Sequence, residues 1–124
     1  MLKNKLYTIL ALTTDEKREK ISALISLNKD HAIFGGHFPG NPILPGVCTV
    51  QIVKELLETS FGSELMLRKA SNIKYLGFVS PTASPEVQFN LLIRDHTAGV
   101  LTCSANVTAG GNAVCSFRGE YVEN

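Results

Sequence analysis

Residues 31–58, HAIFGGHFPGNPILPGVCTVQIVKELLE, decide the fold: a loop dense in glycine and proline runs straight into one long apolar helix. Gly35 and Gly36 allow backbone angles closed to other residues, whereas Pro39, Pro42 and Pro45 each fix φ, so His37 is mounted on a stiff segment. Pro45 suits the first helical turn, where its missing N–H would have no acceptor anyway. Gly46 lets a ligand come close to the backbone, and the free amides near Gly46 and Val47 would polarise a carbonyl. Beyond them Val47, Cys48, Val50, Ile52, Val53, Leu56 and Leu57 cover most of the circumference, the pattern of a buried helix. Gln51, Glu55 and Glu58 fall on one face at i, i+4 and i+7, which draws a polar seam along an otherwise apolar rod.

Within that stretch GGHFPGNPILPGV closely resembles the signature of the hot-dog-fold 3-hydroxyacyl-acyl-carrier-protein dehydratases of fatty acid synthesis, the FabA and FabZ type, where GHFPGxPxxPGV precedes a helix. The resemblance implies that His37 is the catalytic histidine and that Gly46 supplies a backbone amide to the thioester carbonyl. It implies an α+β hot-dog fold, with a curved antiparallel sheet wrapped around one long central helix. In the resembled enzymes a Glu or Asp lies fourteen residues after the histidine; here that position is Gln51. The segment IKYLGFVSPTASPEV extends the resemblance, since such dehydratases present a basic or aromatic residue there before a V-x-P turn.

Gln51 has nearly the size and reach of Glu but no proton to give near neutrality, and a general acid contributes roughly 10²- to 10⁴-fold. Several routes remain. Glu55, one turn farther along the same face, is a substitute acid if the substrate or loop sits differently; otherwise it and Glu58 are ordinary helix carboxylates near an exposed end. Histidine alone can carry both proton transfers, or Gln51 can orient a water. The site of the resembled dimers forms between protomers, so a subunit with His37 and Gln51 can also pair with a carboxylate-bearing hot-dog subunit.

The 124 residues fit a single domain over 1–124, large enough to bury a core, and a net charge of +1 gives no reason to propose nucleic acid as a partner. Three cysteines, Cys48, Cys103 and Cys115, lack zinc-ribbon or redox spacing. Register argues the same way. Placing Leu101, Cys103, Ala105 and Val107 on the face shared by Cys115, Phe117 and Tyr121 sets Val107 opposite Cys115, which leaves Cys103 roughly 13 Å away, beyond disulfide reach. Cys48 shares a helix face with Gln51 but has no base fixed beside it, so it belongs to the packing. A reducing cytoplasm fits all three.

A first strand is expected over residues 6–12 and no apolar run reaches the ~18 residues of a membrane span. Further strands are expected over 21–27, 65–76, 87–93, 101–107 and 115–121, with turns at 81–85, 96–99 and 110–112. His96 is expected as an exposed turn residue. His31 has only Asp30 as a neighbouring metal ligand, so neither a metal nor any other cofactor is expected.

The leading expectation is dehydration of a 3-hydroxyacyl thioester, linked to acyl carrier protein or CoA, to the trans-2-enoyl thioester in fatty acid or related lipid or polyene biosynthesis. The chain would act as a homodimer or higher homo-oligomer, or as one subunit of a heteromer. Alternatives are a hot-dog acyl thioesterase and a catalytically silent carrier-binding subunit. Phe34, Phe38, Leu44 and Phe78 are candidates for the acyl tunnel. Arg68, Lys69 and Lys74 form a basic landing patch for an acidic carrier protein, or guard a solvated strand edge.

Overall fold

The structure, a computed structural model, describes residues 1–36 and 40–124. His37 and Phe38, named above for the site and the tunnel, lie outside the described residues. The elements run β1 (Tyr7–Thr14), β2 (Lys20–Leu27), α1 (Ile33–Gly36), α2 (Gly46–Phe61), β3 (Leu65–Tyr75), β4 (Glu86–Thr97), β5 (Val100–Ala109) and β6 (Asn112–Glu123). The six strands form one sheet in the order β1-β2-β4-β5-β6-β3, antiparallel throughout, with β1 and β3 at its edges. The sheet buries one face against α2, which is the hot-dog fold that the loop and helix imply.

Alternation builds that face. Ile21, Ala23, Ile25 and Leu27 on β2, Val87, Phe89 and Leu91 on β4, and Leu101, Cys103, Ala105 and Val107 on β5 are all buried at period two, and meet Ile52, Val53, Leu56 and Leu57 of α2 in one cluster. Hairpin turns hold the register: Ala98 and Gly99 join β4 to β5, Gly110 and Gly111 join β5 to β6, and all four have positive φ, as tight two-residue hairpins require. Val107 faces Cys115 while Cys103 faces Gly119, and the three thiols are free and buried. Burial pushes the Cys103 thiol up to about 12.

Helix α2 begins one residue later than expected. Pro45 stands at the cap with ψ 140°, and its carbonyl accepts the amides of Cys48 at 3.0 Å and Thr49 at 3.4 Å. Gly62, left-handed at φ 67°, ends the helix and donates to the Glu58 carbonyl. The apolar envelope is less complete than the sequence suggests, because Val47 is 73% exposed. The polar seam is not solvated either: Glu55 is fully buried, and Glu58 accepts the Leu65 amide at 2.8 Å. His96 belongs to β4 rather than to the turn, set edge-on to Phe61 and 3.1 Å from the Glu123 carboxylate.

Tyr121 is fully buried, and its ring occupies the space that a side chain at 119 would need, so Gly119 makes room for it. Its hydroxyl has no hydrogen-bond partner among the described residues. Leaving a buried hydroxyl unpaired costs about 1–3 kcal/mol, whereas a ring of the same shape without it costs nothing comparable. Tyr121→Phe is therefore expected to raise Tm in thermal denaturation; a lowered Tm would show that the hydroxyl is satisfied in solution.

Candidate active site

The first amides of α2, at Gly46 and Val47, lie ahead of any intrahelical acceptor, so this end of the helix carries partial positive charge. It floors an apolar cavity of about 560 Å³, with Gly46, Val47 and Thr49 beneath and Leu44, Tyr75, Phe78 and Cys115 among the walls. Gly46 is needed here for a contact that its sequence neighbours do not reveal. The Tyr75 ring rests on it so closely that a Cβ would lie 2.5 Å from Cε1 and 2.9 Å from the phenol oxygen. The close approach expected of a ligand is thus partly taken by a side chain from the end of β3.

Leu44 and Phe78 line this cavity, and Phe78 is 81% exposed at its mouth. Phe34 does not; it is buried in the core cluster. Tyr75 and Cys115, which face each other across β3 and β6, were not singled out from the sequence. Only Tyr75 left a signal there, as the aromatic residue in IKYLGFVSP. A second depression of similar volume, over Thr13, Lys20, Ser22, Asn90 and Asn106, contains no residue of α2.

Gln51 is not among the cavity's lining residues. Its amide Nε2 donates to Glu55 Oε2 at 3.0 Å, and Glu55 is the hub of a larger cluster. The Leu2 amide donates to both Glu55 oxygens, at 3.1 and 2.9 Å, the Lys3 amide to Oε1 at 2.9 Å, and the Tyr7 hydroxyl to Oε1 at 3.0 Å. Burial pushes this carboxyl upward, but the Leu2, Gln51, Lys3 and Tyr7 donors together outweigh it and hold Glu55 below the usual carboxylate range. Burial and the Glu55 charge push the Tyr7 phenol up. A carboxylate so placed is ionised and fully engaged, which argues against Glu55 as a substitute acid.

The basic residues sit on edge strand β3. Arg68 is tied to Glu120 at 2.8 Å, while Lys69 and Lys74 are exposed along the same strand. His31 uses Nδ1 to accept the Ile33 amide at 3.1 Å at the start of α1. No cluster of potential metal ligands occurs among the described residues, and none of their helices is long and apolar enough to cross a membrane.

Fold and cavity define a hot-dog protein with an apolar pocket at the amino end of its central helix. The model of the ApeI-like family, described as ApeI dehydratase, matches residues 13–116, and the chain belongs to that family. Among curated relatives, the bifunctional LpxC/FabZ enzyme of Chlorobaculum tepidum is 41% identical over 56 residues, 45% of this chain and only 11% of that enzyme. The 3-hydroxyacyl-[acyl-carrier-protein] dehydratase FabZ of Lactiplantibacillus plantarum is 25% identical over 105 residues, covering 79% of this chain and 70% of that protein. In structure the chain is similar to the dehydratase heterocomplex ApeI:P from Xenorhabdus doucetiae, with TM-score 0.69, 17% identity and coverage of 93% and 96% of the two chains. It is also similar to a hypothetical thioesterase with coenzyme A from Streptococcus pneumoniae, with TM-score 0.66, 13% identity and coverage of 95% and 85%. These last two likenesses are of fold.

Because folding lowers the Glu55 pKa from its ordinary 4.5, the carboxylate's contribution to stability is complete above that value and drains away as pH falls below it. Glu55→Gln removes that dependence. Its deficit relative to wild type, about 2 kcal/mol at pH 7 for a charge-assisted buried cluster, is expected to shrink between pH 5 and pH 3 in denaturant titrations. A deficit that stays constant or widens over that range would contradict the ionised, donor-saturated carboxylate.

Proposed function

We propose that this protein dehydrates a 3-hydroxyacyl thioester, linked to acyl carrier protein or CoA, to the trans-2-enoyl thioester in the cytoplasm, at a site formed between two hot-dog subunits. The observation that carries this is the run GGHFPGNPILPGV leading into the amino end of α2 on the floor of an apolar cavity, in a chain of the ApeI-like family.

Each chemical need has a candidate group. The His37 imidazole takes the C2 proton. The Gly46 and Val47 amides stabilise the charge that builds on the thioester oxygen. The C3–O bond then breaks, its electron pair leaving with the hydroxyl, which takes up a proton and departs as water. That proton returns from the His37 imidazolium or comes from an acid on a second subunit; Gln51 has none to give, and Glu55 is held as the anion. The acyl chain runs into the cavity past Leu44 and Phe78. Arg68, Lys69 and Lys74 are the landing patch for an acidic carrier.

Two features support a second subunit. Edge strand β3 presents Met66, Ile73 and Tyr75 to solvent, followed by Leu76 and Phe78, and Val47 is exposed beside the same cavity. Gln51 and the cavity, moreover, do not share a lining within one chain. The ApeI:P structure, which is of a heterocomplex, supports an unlike partner.

The test is turnover of a 3-hydroxyacyl carrier thioester by wild type, Gln51→Glu and His37→Ala, following enoyl product and free thiol separately. Wild type is expected to form enoyl thioester and His37→Ala to lose roughly 10²- to 10⁴-fold. Free thiol without enoyl product would make the chain a thioesterase; carrier binding without turnover, with activity appearing only in Gln51→Glu, would make it the silent partner of another subunit.

A further inference from the structure

Glu55 lies in the middle of α2 with no cation within ion-pair distance among the described residues, and every group that meets it is a donor: the Leu2 and Lys3 amides, the Tyr7 hydroxyl of β1, and the Gln51 amide one turn back. An ionised carboxylate only accepts, so the side-chain amide of Gln51 can face it in one sense alone. Turned over, Gln51 Oε1 would stand about 3 Å from Glu55 Oε2, exchanging a charge-assisted hydrogen bond for the repulsion of two acceptors. Glu55 is fully buried and Gln51 only partly so, which puts the NH2 branch of the amide on the inner side.

We propose that Glu55 is a positioning residue that orients the Gln51 amide, so that Oε1 and not the NH2 group is presented to whatever binds beside that turn of α2. Gln51 is then a hydrogen-bond acceptor for a hydroxyl, either the C3 hydroxyl of a 3-hydroxyacyl chain or a water. A hydroxyl held through its hydrogen keeps an oxygen lone pair turned toward an incoming proton, as a leaving hydroxyl requires. The assignment of the bound hydroxyl to a substrate rests on the dehydratase reading; the orientation of the amide does not.

The full-length, isotope-labelled protein decides the orientation through the side-chain NH2 signals of Gln51, compared in wild type, Glu55→Gln and Tyr7→Phe. Tyr7→Phe is the control, because it removes a bond to the same carboxylate without touching Gln51. In wild type one Gln51 amide proton is expected to be shifted downfield and to exchange slowly. The signature is expected to survive in Tyr7→Phe and vanish in Glu55→Gln. A wild-type Gln51 that behaves as a solvent-exposed side chain overturns the proposal even if Glu55→Gln fails to fold, and so does equal loss in both variants.

On a 3-hydroxyacyl thioester, Glu55→Gln is expected to lower kcat by roughly tenfold or more with KM little changed, and Tyr7→Phe to leave both near wild type. An unchanged kcat in Glu55→Gln overturns the positioning role. The NMR signature in a wild type without turnover on any thioester would instead overturn the dehydratase reading and leave the orientation of Gln51 standing.

Discussion

A buried charge with no counter-ion among the described residues is tolerated only when donors surround it, and the Glu55 carboxylate sets that condition at the centre of this molecule. Its donors come from three places in the chain: residues 2 and 3, Tyr7 at the start of β1, and α2 itself. Satisfying the carboxylate therefore fixes how the N-terminal segment and edge strand β1 sit against the central helix. The same requirement fixes the rotamer and the sense of Gln51. One interaction thus links the packing of the fold to the orientation of the Gln51 side chain.

The amino end of α2 is governed by different physics. There the first helical amides have no intrahelical acceptor, the sheet contributes an apolar wall, and Tyr75 lies across Gly46. Met66, Ile73, Tyr75, Leu76 and Phe78 are exposed along β3 and the segment after it, and Val47 is exposed at the cavity. Apolar surface concentrated at an unpaired strand edge favours association, and here the edge adjoins the cavity. Around Glu55 the helix is covered by residues 2, 3 and 7, whereas at Gly46 it borders the cavity.

Much of the fold was legible because its signals are local. The alternation of Val87, Phe89 and Leu91, or of Leu101, Cys103 and Val107, marks the buried face directly, and the Ala98–Gly99 and Gly110–Gly111 turns hold the register, so that Val107 falls opposite Cys115 as expected. Pro45 and Gly62 likewise bracket α2 within one residue. Glu55 was misjudged because helical spacing shows which residues share a face but not what covers that face. Apart from Gln51, its partners are about fifty residues away in sequence. The Tyr75 contact is hidden for a similar reason, since nothing near Gly46 in the chain announces a ring from the end of β3, and Phe34, a tunnel candidate by sequence, lies in the core cluster.

The most direct test of the central claim is amide hydrogen exchange at Leu2 and Lys3 in the intact protein at neutral pH. If the buried Glu55 carboxylate holds them, both are expected to exchange at least ~100-fold more slowly than an unstructured amide, in step with the interior of α2. Exchange at unstructured rates at Leu2 and Lys3, with α2 protected, would mean that the carboxylate is satisfied in some other way and that the link between the N-terminal segment and Gln51 does not exist.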